Sequence, residues 1–147
     1  MATYSFMSVT ASIDGPGGAF SLGYGAGSAE EGITIARIED KNTMMLGADG
    51  TPMHSLHAGE GGIITIRLLK VSPVNNLLMS MYNYQRSGPA FWGNNVISVQ
   101  DIFRMDSSTL SSVAFKKVPD ITYAKDGNTH EWTFDVGRIA GFLGAGI

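Results

Sequence analysis

Apolar and polar residues alternate along most of this 147-residue chain, and the period changes only once. Residues 3–13 alternate through Tyr4 and Phe6 and then, after a slip, through Val9, Ala11 and Ile13, which predicts a strand with a bulge. It stops at the turn Asp14-Gly15-Pro16-Gly17. Farther on, Ile33, Ile35 and Arg37 point one way and Thr34, Ala36 and Ile38 the other, and β-branched residues on both faces predict a strand covered on both sides. Residues 42–58 read as a hairpin in which 43–46 and 53–57 flank Gly47-Ala48-Asp49-Gly50. A strong strand follows over 62–71. Then Ser72-Pro73 supplies an N-cap serine and a proline at the first helical position, and Val74, Leu77, Leu78, Met81 and Tyr82 recur at helical spacing. This predicts a helix over about 73–86, ended by Gly88-Pro89, whose apolar stripe covers one face or end of a β core. Residues 96–104 and 110–118 pair around a polar tip at 106–109. The last strand, 130–138, turns Trp132, Phe134 and Val136 inward after Lys125-Asp126-Gly127-Asn128. Seven or eight strands and one helix predict a mainly β fold, a barrel or sandwich capped by the helix, in one domain over 1–147.

One segment departs from this regularity. Between Gly15 and Gly32 seven of eighteen positions are glycine, and no charge appears until Glu30. A flexible linker lacks large apolar anchors, whereas Phe20, Leu22 and Tyr24 recur here at period two. The segment reads as an ordered contact surface. Composition points the same way: 16% of residues are charged and 44% hydrophobic, so an isolated monomer would be sticky. The net charge is −3 and the ten basic residues scatter from Arg37 to Arg138, which argues against gripping a nucleic acid backbone. Without cysteine there is no disulfide, thiol catalysis or thiolate metal site. The N-terminus reads as a strand and not a signal peptide, and the apolar run 139–147 is too short and glycine-rich to span a bilayer as a helix, so no stable membrane insertion is expected.

Candidate chemistry fails on context. His54 and His57 would share a face only on a helix, but their segment looks extended, and hairpin histidines are mostly surface or interface groups. His130-Glu131 begins a zinc-protease pattern, yet Phe134 stands where its second histidine belongs. The run from Gly23 to Gly27 lacks the helix start and lysine of a phosphate-binding loop, since a strand follows. Glu30 and Glu31 point to opposite faces of a strand, and no serine sits in a nucleophile elbow. The expectation is a protein that is not an enzyme and needs no cofactor or metal.

The order of the pieces TYSFMSVTASIDGPGGAFSLGYGAGSAEEGI, EDKNTMMLGADGTPMHSLHAGEGG, LLKVSPVNN, AFKKVPDITYAKDG and HEWTFDVGRI resembles tail tube proteins of contractile-tailed bacteriophages over nearly the whole chain. That resemblance implies a small β-barrel or sandwich with one helix, forming hexameric rings stacked into a hollow tube within a contracting sheath. The chain would then be a virion protein assembled in the host cytoplasm. Its partners would be itself, the sheath, the baseplate and the tail terminator, and DNA would pass through the lumen without specific binding. Strands 33–39, 62–71, 96–104 and 110–118 are the expected inner sheet. Assembly contacts are expected from loops 14–32 and 40–61, at Gly15, Gly17, Gly18, Phe20, Tyr24, Gly25, Gly27, Glu30, Glu31, Asp40, Lys41, His54 and His57. Acids that could face and repel DNA in the lumen are Glu39, Asp40, Asp49, Glu60 and Asp101. Two alternatives stay open. One is the tube of a related injection machine, a phage-derived bacteriocin or type VI secretion system; the other is a monomeric sandwich binding a ligand through Tyr82, Tyr84, Phe91 and Trp92.

Overall fold

The computed structural model describes residues 3–145, and of residues 28–31 the backbone alone. Within them, nine strands and one α-helix follow in the order β1 (Val9–Gly15), β2 (Gly18–Ser21), β3 (Ser28–Arg37), β4 (Asn42–Leu46), β5 (Pro52–Leu56), β6 (Gly62–Leu69), α1 (Val74–Gln85), β7 (Asn95–Asp101), β8 (Asp106–Lys117) and β9 (Thr129–Phe142). Seven strands form one antiparallel sheet in the order β2-β1-β7-β8-β9-β6-β3, while β4 and β5 pair only with each other. The sheet has two ends, so the sandwich alternative describes the fold and a closed barrel does not.

The cross-strand register explains why one face is apolar. Ile33 and Ile35 on β3 lie opposite Ile66 and Ile64 on β6, and these lie opposite Trp132 and Phe134 on β9. Phe115 on β8 continues the row opposite Phe134, and Ile97 on β7 links Leu110 to Ile13. A period of two therefore turns every second residue of six strands into one shared core. The other face carries Thr10, Ser12, Ser98, Gln100 and Thr109. The predicted two-sided burial of the 33–38 strand holds on one face only: Thr34 and Ala36 are exposed.

Helix α1 covers the apolar face. Val74, Leu78, Met81 and Gln85 are buried, a stripe that repeats once per turn, whereas Leu77 faces outward. The helix begins one residue later than predicted, with Pro73 in the cap position. Ser72 still serves the first turn, since its hydroxyl accepts a hydrogen bond from Val74 N–H at 3.3 Å and donates one to the Ala26 carbonyl. Below the helix, Trp132 Nε1 donates to Asn75 Oδ1 at 3.0 Å, and Phe115 packs against Tyr82, Trp132 and Phe134 with ring centroids 4.8–6.1 Å apart.

Beyond the helix C-terminus, two fully buried amides form a closed pair. Gln85 Nε2 donates to Asn95 Oδ1 at 2.6 Å, and Asn95 Nδ2 donates back to Gln85 Oε1 at 3.0 Å. Gln85 Nε2 also reaches the Pro16 carbonyl at 2.9 Å, which ties α1 and β7 to the β1–β2 turn. A Cβ on Gly15 would collide with Asn95 Oδ1, so glycine is required there by close approach.

Several boundaries move. The slip in the first strand is a 3-10 turn over Phe6–Ser8, capped when the Ser5 hydroxyl accepts from Met7 N–H, and β1 starts after it. The glycine-rich segment contains a strand, β2, and β3 starts at Ser28 with a register shift before Ile33. Residues 106–109 lie inside β8 and not at a polar tip; the chain reverses at 102–105, where Asp101 Oδ1 accepts Arg104 N–H at 3.2 Å and Met105 adopts a φ of 62°. β9 runs on to Phe142 because β8 is long enough to pair with its last residues.

Residues 22–27 then explain the overall curvature. Leu22 and Tyr24 N–H groups bond to Ala11 and Val9 carbonyls on β1, whereas the Gly27 carbonyl accepts Leu69 N–H on β6. A few residues thus carry the chain from one edge of the sheet to the other, and the sheet must curl to let them. At Gly27 the φ is +77° and an added Cβ would stand 2.8 Å from Ser72 Cβ, which excludes other residues twice over.

Candidate assembly surface

The β4–β5 hairpin stands apart from the core. Its register pairs Met45 with Met53 on one face, and Met44 with His54 and Leu46 with Pro52 on the other. Every residue of β4 is exposed, Met45 to 64%, and Leu56 on β5 to 86%. An isolated two-stranded ribbon is marginal in water, because neither face removes apolar area from solvent. What holds it is local. Gly47 N–H bonds to the Thr51 carbonyl at 2.8 Å, the Asp49 carboxylate accepts Thr51 N–H at 3.0 Å, and Lys41 Nζ bonds to the His57 carbonyl at 2.9 Å.

The expected contact residues of this region are engaged within it. Asn42 Nδ2 and His54 Nδ1 lie 3.2 Å apart, and Thr43 Oγ1 and His57 Nε2 lie 2.7 Å apart. Lys41 Nζ sits 2.8 Å from Glu60, and Arg37 sits 3.5 Å from its other carboxylate oxygen. Lys41 first, then Arg37 and Arg138, hold the Glu60 carboxyl below its ordinary pKa. The Asp49 carboxyl is likewise lowered, by its hydrogen bonds to Thr51. Asp40 is exposed at the foot of the ribbon, and Glu39 lies against Gly59, where a Cβ would meet its carboxylate.

Asp101 differs from the other expected lumen acids. It is only 6% exposed, and its Oδ1 accepts the Ser8 hydroxyl at 2.9 Å as well as Arg104 N–H. Facing the inside of the curled sheet, it does not present its charge to solvent in this chain.

In the glycine-rich segment, Phe20 is half-buried against the core and Tyr24 is exposed. Gly17 packs on the Tyr84 ring and Gly18 lies near Met81. Gly25 is the open position, with a φ of +95° and no described atom within 4 Å of an added Cβ. The Glu30 and Glu31 side chains lie outside the described residues. Gly15 and Gly27 are required by the chain's own packing, as described above.

Two features escaped the sequence reading. The β7–β8 turn exposes Ile102, Phe103 and Met105, and the end of β9 adds exposed Phe142 and Leu143. The signal was present: three large apolar residues in four positions outside any alternation. The second is which strand carries a free edge: β3 is a terminal strand of the sheet. Among the described residues no group of three His, Asp or Glu side chains could hold a metal ion, and no helix is long and apolar enough to cross a membrane.

The family described as "Bacteriophage PhiTE tail tube protein" matches residues 1–144. No curated protein matches the chain by sequence. Among solved structures, the fold is similar to a chain of the sheath/tube terminator of an extracellular contractile injection system, PVC, in the extended state. The TM-score is 0.63 at 13% identity, over 97% of this chain and 98% of that one. A chain of the PVC sheath-tube complex gives a TM-score of 0.61 at 13% identity, covering 96% and 92%. A chain of the anti-feeding prophage tube-terminating cap gives 0.60 at 10% identity, covering 97% and 94%.

Proposed function

The chain belongs to the bacteriophage PhiTE tail tube protein family, and from that premise we propose that six copies close into a ring and that rings stack into the inner tube of a contractile tail. The observation that carries this reading is the β4–β5 hairpin, a ribbon with methionines on both faces that the described residues of its own chain leave uncovered. In a stack, a neighbouring ring covers it. The free edge of β3 supports a second contact, with its unpaired backbone groups met by a strand of the next copy in the ring.

The four strands expected to line the tube all belong to the seven-stranded sheet. Its outward face near Thr10, Ser98, Gln100 and Thr109 offers hydroxyls and an amide, and the outward Arg67 of β6 is already paired with Glu131 at 3.4 Å. Such a lining offers phosphates hydroxyls and an amide instead of a row of free cations, so DNA slides through with little counterion release at fixed points. The sheath surrounds this tube, the baseplate and terminator close its ends, and the assembly takes place in the host cytoplasm before the tail joins the virion. Negative-stain microscopy and sedimentation of the purified full chain test the reading. Rings or tubes with a central channel are expected; a monomer at high concentration, with neither, overturns it.

A further inference from the structure

Inside the curled sheet, below the β7–β8 turn, lies a cavity of about 320 Å³. Its walls include Phe6, Val9, Ile33, Ile35 and Val99, and Asp101 lines it among these apolar groups. Asp101 is 94% buried by its 6% exposure, and while Oδ1 holds two hydrogen bonds, Oδ2 is buried with no partner among the described residues. Asp106, opposite Asp101 in the β7–β8 register, adds a second carboxylate whose Oδ1 accepts Gly144 N–H at 2.9 Å. A buried carboxylate oxygen with nothing to accept from costs free energy until a donor reaches it.

The shape of the site selects the donor. The space is roughly ten times the ~30 Å³ share of one water, and its walls are mostly aliphatic and aromatic, unlike the all-oxygen shell a hard metal ion requires. A long aliphatic stem ending in a cation fits both properties. Within this chain the candidate stands at the far end of the sheet. Lys125 lies on the exposed 120–128 stretch between β8 and β9 and forms no ion pair among the described residues. The 12 residues of β8 separate that loop from the β7–β8 turn, a span of roughly 40 Å that excludes contact within one copy.

We infer that Lys125 of one copy inserts into the Asp101 cavity of the next copy along the tube, its ammonium donating to Oδ2. The inference rests on the stacking proposed above, and with the acceptor at one end and its donor at the other such stacking is head-to-tail and polar.

The test uses the full chain. Asp101→Asn and Lys125→Gln are compared with the wild type for critical concentration of polymerisation, with circular dichroism reporting the fold. Each variant is expected to stay folded and to raise the critical concentration about tenfold or more, the scale of losing one buried charge-assisted hydrogen bond. A D101N/K125Q double variant should polymerise no worse than either single variant, because each one alone already breaks the same contact. If folded Lys125→Gln polymerises like the wild type, or if the losses of the two single variants simply add in the double variant, the inference is overturned while the stacking reading stands. If the wild type itself never polymerises, the stacking reading falls first and the inference with it. Lys125 is exposed on a loop, so its variant decides the matter even where Asp101→Asn does not fold.

Discussion

The core beneath α1 and the β4–β5 hairpin are both antiparallel ribbons studded with large apolar residues, yet they end in opposite states. On β6, Ile64, Ile66 and Leu68 alternate with residues of the outer face, and all three are fully buried by α1 and the neighbouring strands. On the hairpin, Met44, Met45 and Leu46 follow one another without alternation, so apolar side chains emerge on both faces and, among the described residues, no other element lies over either. Alternation marks a strand that its own chain covers on one side. Its absence in an exposed ribbon marks a strand whose cover comes from elsewhere.

That contrast can be broken first at the helix. Leu78 is 0% exposed at the centre of the apolar stripe, and Leu78→Asp places an unpaired carboxylate there. Soluble expression and the circular dichroism of the fold should both be lost. A smaller but still intramolecular effect is expected at the amide pair. Asn95→Ala leaves the Gln85 amide without its reciprocal partner and should lower stability by about 2 kcal/mol, the usual cost of an unsatisfied buried polar group. Urea unfolding of the monomer measures it. An undiminished midpoint would show that the pair contributes nothing.

The hairpin should respond in the opposite sense. Met45→Asp changes an exposed residue, so monomer stability should stay within about 0.5 kcal/mol of wild type. Polymerisation, read by sedimentation, should be abolished. Loss of the folded monomer instead would mean that the ribbon is held by its own chain after all.

The smallest effect concerns pH. The Glu60 carboxyl is lowered from its ordinary value of 4.5, chiefly by Lys41. A carboxyl depressed in the folded state contributes stability above its unfolded pKa, and that contribution disappears as pH falls through the lower folded value. Glu60→Gln should therefore lower the melting temperature slightly at pH 7 and make no difference well below pH 4.5. A difference that persists in acid would assign the effect to shape and not to charge.

Much of the core was legible in the sequence because period-two and helical patterns are local consequences of burying one face. Trp132, Phe134 and Val136 face inward as the alternation of β9 predicts, and Leu78 and Met81 lie on the predicted stripe. The turn at 102–105 was only partly legible: its apolar run breaks the alternation in the sequence, but the buried acid that fixes the turn does not show there, since Asp101 is held by Ser8, 93 positions away in the chain. The Gln85–Asn95 pair had no sequence signal either, because two amides ten residues apart acquire meaning only when a helix end and a strand start converge on the Pro16 carbonyl.

Residue order alone specifies mainly β structure, one helix, a low surface charge and a glycine-rich segment with apolar anchors. These follow from side-chain size, backbone freedom and spacing, which act between near neighbours. Tertiary structure alone decides that the sheet curls without closing, that Gly15 and Gly27 are demanded by Asn95 and Ser72, and that the hairpin methionines stay uncovered. Those outcomes depend on which distant segments meet, and burial and hydrogen bonding summed over the whole chain select those meetings.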